Sequence, residues 1–189
     1  MGNRIYRRLI FQSYGKRIYE ASSPRALLVG LKACIIGHES LRLKVGLLHR
    51  DVSIDNLMIN EEEEAPLQRG FLIDLDLAIE ETRTGTSRAK RKTETRAFMA
   101  IGALHGVEHS FMHDLASVSW VFYWMCLYYD GQGKYVGPTE FEEWNYINER
   151  HLAWSKLGLI SDECQFLDDA ERDFTEYYLP LLPWVNRLR

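Results

Sequence analysis

Apolar residues recur at helical spacing in two long stretches of the chain. Leu27, Leu31 and Ile35 fall on one face of a helix. Ser23 stands before them in an N-cap position and Gly46 follows at the C-terminal end, so we expect a helix of about six turns. Farther along, the run HDLASVSWVFYWMCLYYDG is apolar on nearly every side. It predicts a second helix, buried all round, at the centre of the core.

Three shorter stretches have the pattern of β-strands. Residues 7–14 are the first, followed by a turn at Gly15. The other two are Leu57–Asn60 and Gly70–Leu75, which are separated by an acidic loop that contains Pro66. These two runs predict a small antiparallel hairpin.

Capping residues mark the remaining helices. Asp114 is expected to cap the start of the buried helix. Thr139 and Glu142 form a capping box that predicts a further helix start. Residues 162–178 have the pattern of a helix that is acidic on its outer face, and Pro180 ends that pattern. The elements together predict a mainly α fold with a small β-hairpin.

Composition and charge narrow the class of protein. With 189 residues and 46% hydrophobic content the chain can form one sizeable core, and its net charge of −4 argues against a general nucleic-acid-binding protein. Cys34, Cys126 and Cys164 are widely spaced, which argues against a disulfide framework or a zinc site and favours a reducing, intracellular setting. The longest apolar-rich segment, Leu115–Tyr129, is too short to cross a bilayer, so we expect no membrane partner.

The candidate chemistry lies in the stretch LLHRDVSIDNLMI and the strand after it. Asp51 and Asn56 precede one strand of the hairpin, and Asp74 comes at the end of the other. This order places three oxygen-bearing side chains around one spot. Phosphoryl transfer needs such a set, because a carboxylate must orient and deprotonate the attacking hydroxyl and hard oxygen ligands must hold Mg²⁺ on the phosphates.

The same order of residues matches the catalytic loop and the metal-binding loop of protein kinases. Together with the segments GFLIDLDLAI, TRAFMAIGAL, HSFMHDL and PLLPWVNRLR, the sequence resembles the fungal-type protein kinase-like family over essentially residues 4–189. The resemblance implies a protein-kinase-like C-terminal lobe, ATP and Mg²⁺ as cofactors, and protein Ser or Thr as the phosphate acceptor.

The resemblance also assigns a role to each residue of the candidate site. It makes Asp51 the catalytic base, and it makes Asn56 and Asp74 the residues that hold Mg²⁺ and, through it, ATP. Arg50 would be the cation that neutralises a phosphate on the activation segment. Without the resemblance, Asp51 and Asn56 could also be ordinary turn residues, and Asp74 a solvated carboxylate at a strand end.

Three other residues are open to a structural interpretation as well. Thr95 resembles the threonine that supports the catalytic aspartate, although hydroxyl residues abound around it and a plain loop role stays open. Asp114 resembles the buried carboxylate that braces the catalytic loop through its backbone, a role compatible with helix capping. His49 is expected to pack as a structural histidine, with no part in proton transfer.

Several positions depart from the common kinase pattern. Ser53 stands where most protein kinases have a lysine that contacts the transferred phosphate. Asp76 replaces a flexible glycine, Gly102 replaces the glutamate that anchors the activation segment, and Glu94 stands where a glycine is typical. We expect these changes to affect the rate and the order of the activation segment more than the fold.

A kinase N-terminal lobe needs about 60–70 residues for its strands, helix and loops. No G-x-G-x-x-G motif precedes the catalytic loop, and neither Lys16 nor Lys32 lies in a V-A-I-K-like strand. We therefore expect residues 1–20 to be the last strand and hinge of an N-terminal lobe that is otherwise largely absent, and residues 21–189 to be the C-terminal lobe. On this interpretation the chain is a truncated or degenerate copy.

The preferred function is thus an ATP- and Mg²⁺-dependent protein Ser/Thr kinase domain that is weakly active or inactive alone. A non-catalytic, pseudokinase-type module that binds a protein partner is the alternative. A small-molecule kinase of the aminoglycoside or choline type is less favoured. It shares the H-x-D-x-x-x-x-N loop and commonly lacks the lysine replaced by Ser53, but the TRAFMAIGAL segment and Thr95 argue against it.

Overall fold

The computed structural model describes residues 15–65, 68–81 and 93–189, with the side chains of residues 93–95 outside the description. The helices of this part of the chain are α1 (Pro24–Ser40), α2 (Ile101–Leu104), α3 (Phe111–Tyr128), α4 (Glu149–Ser161), α5 (Glu163–Asp173) and α6 (Leu182–Asn186). The strands are β1 (Lys16–Arg17), β2 (Leu47–Leu48), β3 (Leu57–Ile59), β4 (Gly70–Leu72) and β5 (Ile79–Glu80). The described chain is mainly helical with small antiparallel sheets, which confirms the predicted mainly α class.

The first long helix begins and ends where its sequence predicts. The side chain of Ser23 accepts a hydrogen bond from the backbone N–H of Ala26 at 3.1 Å, which caps α1. After α1 the chain continues through a π-helical turn, Leu41–Val45, and stops at Gly46, whose φ of 72° is left-handed. The predicted helix is therefore confirmed, with its last turn wound more loosely than the rest.

The predicted hairpin is present as β3 and β4, paired antiparallel with Leu57 opposite Leu72. β1 pairs with the other edge of β3, which makes a three-stranded sheet. β2 and β5 form a second antiparallel pair that the sequence did not reveal, because two-residue strands carry no readable alternation. The strand predicted at residues 7–14 lies outside the described residues.

The three-stranded sheet packs against α1, and β4 approaches the helix most closely. An ideal Cβ on Gly70 would lie 2.2 Å from the carbonyl oxygen of Gly30 and 3.0 Å from the Sγ of Cys34. The backbone of β4 thus rests directly on the backbone of α1. Only glycine allows this contact.

We expect Gly70→Ala to lower the free energy of unfolding by about 3 kcal/mol, because two backbones would have to move apart. Gly158→Ala is the matched control. Gly158 lies in α4 with open space around an added Cβ, so alanine there should stabilise the helix by about 0.5–1 kcal/mol. Urea denaturation followed by circular dichroism measures both variants, and a wild-type stability for Gly70→Ala would contradict the close approach.

α3 is buried on nearly all sides, as predicted, and forms the centre of the core. The prediction that Asp114 caps this helix is wrong. The N-cap is Ser110, whose backbone N–H donates to the Nδ1 of His113 at 3.0 Å in a reciprocal capping arrangement. Asp114 lies inside the first turn, where its side chain is free to reach other elements.

Across the described residues, no helix combines the length and the apolar character needed to span a membrane.

The C-terminal third differs most from its prediction. Thr139 does cap a helical segment, but that segment is a 3₁₀ helix, Glu140–Asn145. The helix predicted over residues 162–178 starts after Asp162 and ends at Asp173. α4 was not predicted, because it buries few of its residues and one of those is a lysine, which obscures the apolar periodicity. The short helices Leu179–Leu181 and Leu182–Asn186 follow.

Candidate functional site

The two sheets bring the loop between β2 and β3 against the turn that follows β4. The backbone N–H of Ile73 donates to the carbonyl oxygen of Asn56 at 3.0 Å, and the Nε2 of His49 bonds to the carbonyl oxygen of Ile73 at 3.0 Å. Both ends of the loop are therefore held by the residue that precedes Asp74. This contact is the reason why Asp74 lies beside the loop that carries Asp51.

Asp51 and Asn56 are neighbours inside this loop. The Nδ2 of Asn56 donates to the backbone oxygen of Asp51 at 2.8 Å, and it also lies 3.4 Å from the Oδ2 of Asp51. The two residues are 7% and 8% exposed, so the carboxylate is held in place while one edge still reaches the surface. An oriented and slightly exposed carboxylate can accept a proton from a hydroxyl that approaches it.

His49 is fully buried at the start of the loop. Burial lowers the pKa of His49, since it outweighs the nearby carboxylate of Asp114 that acts in the opposite direction. With its Nε2 on the Ile73 carbonyl oxygen, the Nδ1 of the neutral ring can accept the backbone N–H of Asp51 at 3.3 Å. His49 is thus a packed structural residue, as predicted.

Asp114 ties this loop to the central helix. Its Oδ2 accepts the backbone N–H of His49 at 2.9 Å, and its Oδ1 accepts that of Arg50 at 2.9 Å. The Nε2 atoms of His38 and His109 lie 2.8 and 2.7 Å from the same carboxylate. Asp114 is 1% exposed, so its charge is compensated by four neighbouring groups.

The pKa of Asp114 reflects this environment. Burial alone would raise it, but hydrogen bonds from His109 and His38 outweigh burial and hold the pKa of the carboxyl well below its usual range. Sequence reasoning missed both histidines. They come from α1 and from the turn before α3, and no short-range spacing joins either of them to the loop.

Two residues of the site have left-handed backbones that residues with side chains seldom adopt. They are Arg50, with a φ of 68°, and Asp74, with a φ of 64°. Each such conformation costs of order 1–3 kcal/mol and tends to occur at functional sites. Asp74 is exposed, and one of its oxygens accepts the backbone N–H of Asp76 at 3.3 Å.

Asn56 and Asp74 offer an amide and a carboxylate to a cation. The amide nitrogen of Asn56 already donates to Asp51, so its oxygen is the atom suited to a metal. Among the described side chains, no group of three His, Cys, Asp or Glu residues is arranged to hold a metal ion. A pair of oxygen ligands fits Mg²⁺, which usually binds one or two protein ligands together with phosphates and water.

Comparison with known protein families identifies the family of this chain. A family model described as fungal protein kinase matches residues 1–126. The chain belongs to the fungal protein kinase family. The matched region contains Asp51, Asn56, Asp74 and Asp114, and it ends before the C-terminal helices that the sequence resemblance had included. A search of curated proteins found no match.

Within this kinase-like domain, the structure gives the position of the unusual residues. Ser53, which the resemblance aligns with the phosphate-contacting lysine, is 2% exposed and is therefore turned into the protein. At Gly102 an added Cβ would lie 2.5 Å from the Nε2 of His113, so a larger residue there would require the imidazole to move. The imidazole occupies the space that a glutamate at this position would need. The side chain of Thr95 lies outside the described residues.

Two basic side chains anchor the segment around residues 96–99 of the kinase-like domain. The Nη1 of Arg96 donates to the carbonyl oxygen of Ile147 at 3.0 Å. Lys156, which lies in α4, donates from its Nζ to the carbonyl oxygen of Met99 at 2.7 Å. The same Nζ lies 4.3 Å from the ring centroid of Trp120. Lys156 is fully buried, and burial lowers its pKa well below the ordinary value. The sequence contains no signal for this anchor.

Proposed function

We propose that this kinase-like domain transfers the γ-phosphoryl group of ATP to Ser or Thr residues of proteins, with Mg²⁺ as cofactor. On this proposal residues 1–20, of which 1–14 lie outside the described residues, are the last strand and hinge of an N-terminal lobe, and residues 21–189 are the C-terminal lobe. The observation that supports this proposal most is the pair of hydrogen bonds between Asp114 and the loop, here called the brace. Asp114 fixes the backbone of His49 and Arg50, next to the Asp51 carboxylate that Asn56 orients.

Asp51 is the proposed base of the reaction. As the acceptor hydroxyl forms its bond to the γ-phosphorus and the bond to the β-phosphate oxygen breaks, the hydroxyl proton passes to the Asp51 carboxylate. Asn56 holds the backbone of Asp51 through the 2.8 Å bond and lies 3.4 Å from its carboxylate oxygen Oδ2. When bound, Mg²⁺ on Asn56 and Asp74 supplies positive charge to the phosphate oxygens.

Two further roles follow the family resemblance. Arg50 is the proposed cation for a phosphate on the activation segment, and its backbone N–H donates to the Oδ1 of Asp114 at 2.9 Å. Thr95 is the proposed support of Asp51.

Magnesium-dependent nucleotide binding tests the proposal. Because the chain has no G-x-G-x-x-G motif before Asp51, we expect residues 1–189 alone to bind ATP weakly and to have no appreciable kinase activity. Binding should weaken about tenfold when EDTA removes Mg²⁺ or when Asp74→Asn removes its carboxylate ligand.

Isothermal titration with ATP measures this binding on residues 1–189 and on a version extended upstream in the gene, here called the complete reading frame. Asp76→Asn is the matched control, since Asp76 is an exposed carboxylate two residues away and should leave binding unchanged. Equal ATP affinity of wild type and Asp74→Asn, with no response to EDTA, would contradict the assignment. Robust, Asp51-dependent autophosphorylation by residues 1–189 would contradict the expected inactivity.

A second candidate function is a pseudokinase-type module that binds a protein partner. The burial of Ser53, at the position of the phosphate-contacting lysine, favours it. Absence of phosphoryl transfer by the complete reading frame, with MgATP bound, would support this candidate over the enzyme. Running the same assay with an aminoglycoside or choline as acceptor would test the less favoured small-molecule kinase.

A further inference from the structure

Lys156 is the one residue of α4 that is both basic and fully buried. Its Nζ donates to the carbonyl oxygen of Met99 at 2.7 Å. Two indole rings lie beside the same nitrogen, with the centroids of Trp120 and Trp144 at 4.3 and 5.2 Å. The polar end of this lysine is therefore directed at the backbone of a segment that lies far earlier in the chain.

Packing alone does not account for a lysine at this position. Burying its amino group costs free energy unless a hydrogen bond compensates, whereas leucine or methionine would fill similar space without that cost. Burial also lowers the pKa of Lys156 well below its ordinary value. A neutral amine donates to a carbonyl oxygen as an ammonium group does, so the bond to Met99 forms in either charge state.

The chain that Lys156 holds, residues 96–101, is here called the anchored segment. At its start, the Nη1 of Arg96 donates to the carbonyl oxygen of Ile147, directly before α4, at 3.0 Å. In its middle, the ring of Phe98 packs edge-on against Trp124 of α3, at a centroid distance of 5.5 Å. The anchored segment thus lies on α3 and is tied to the α4 region at two points.

The inference rests on the proposed function, in which Thr95 supports the Asp51 carboxylate. The anchored segment begins directly after Thr95, so it borders the group that receives the proton of the acceptor hydroxyl. A protein that brings a Ser or Thr to Asp51 must pass along this segment. ATP, in contrast, is held through Mg²⁺ on Asn56 and Asp74.

We propose that Lys156 is a positioning residue for the protein acceptor, because it holds the Met99 carbonyl and thereby keeps the anchored segment in the place that acceptor binding requires. It does so in a chain where Gly102 has no side chain to replace the anchoring glutamate of the common kinase pattern. Lys156 lies beyond residue 126, at which the family match ends, so that match gives it no role.

Lys156→Met tests the proposal, since it keeps the length of the side chain and removes the donor. In residues 1–189, hydrogen exchange at the amides of residues 96–102 should become about tenfold faster, with the amides of α1 and α3 unchanged. Lys156→Arg should restore the protection, because a guanidinium group also donates to a carbonyl oxygen and stacks on indole rings.

The second measurement is steady-state kinetics of the complete reading frame. The acceptor is the Ser/Thr peptide that the wild type phosphorylates best in an arrayed library. Lys156→Met should raise KM for this peptide about five- to tenfold, the equivalent of one net hydrogen bond, and should leave KM for ATP unchanged. Lys156→Arg should return KM for the peptide to the wild-type value.

Arg150→Met is the matched control. Arg150 lies in the same helix with its guanidinium group over the ring of Trp154 at 4.5 Å, but it is exposed, so this variant should match the wild type in both measurements.

The proposal would be overturned by unchanged exchange of residues 96–102, by a loss of protection that extends equally through α1 and α3, or by an equal rise of both KM values. A wild type that phosphorylates no peptide of the array would contradict the proposed function and the acceptor role together. Hydrogen exchange would then still decide whether Lys156 holds the anchored segment.

Discussion

Asp51→Asn is expected to lower the rate of phosphoryl transfer by about 10²–10⁴-fold while leaving the fold intact. Asparagine cannot accept the proton of the attacking hydroxyl. The fold should tolerate the change, because Asn56 bonds mainly to the backbone oxygen of Asp51 at 2.8 Å and only distantly to its side chain. The measurement is kcat with a protein substrate for the complete reading frame, together with thermal unfolding of each variant.

Asp55→Asn is the matched control for this experiment. Asp55 lies in the same loop, but its side chain is 68% exposed and has only a loose ion pair with Arg17 at 3.9 Å. Its replacement should change neither kcat nor stability appreciably. Near-normal turnover in folded Asp51→Asn would rule out Asp51 as the base, whereas a loss shared by both variants would show that the loop is sensitive to any charge change.

Asp114→Ala should lower the free energy of unfolding by about 3–5 kcal/mol, the range for removing one partner of a buried charged network. The change leaves the backbone N–H groups of His49 and Arg50 and the imidazoles of His38 and His109 without their common acceptor. Urea denaturation measures the stability. Hydrogen exchange should also show lost protection of the His49 and Arg50 amides, which is the specific sign of a released loop.

We also expect the stabilisation that Asp114 provides to depend on pH. Since the pKa of Asp114 is lower in the folded than in the unfolded state, its stabilisation is complete above the unfolded value of about 3.9 and is lost as the pH falls below it. The stability difference between wild type and Asp114→Ala should therefore be present at neutral pH and shrink below about pH 4. Asp168→Ala, at an exposed position, is the control and should lie within about 0.5 kcal/mol of wild type at all pH values. Wild-type stability for Asp114→Ala would refute the brace.

The sequence determined those parts of the protein that are encoded locally. α1 could be predicted because Ser23 and Gly46 mark its ends and apolar residues recur on one face. The burial of α3 could be predicted because its residues are apolar all round. The β3–β4 hairpin and the order of Asp51, Asn56 and Asp74 were readable for the same reason, since each depends on residue types within a few positions of one another.

Only the tertiary structure decided which distant side chains act together. Asp114 had the residue type of a helix cap, yet Ser110 takes that position and the carboxylate instead bonds to a loop some 65 residues earlier. The roles of His38, His109 and Lys156 likewise depend on contacts between separate elements. The physical reason is that a cap or an apolar face is defined by spacing along one helix, whereas the partner of a buried polar group is set by which elements pack together.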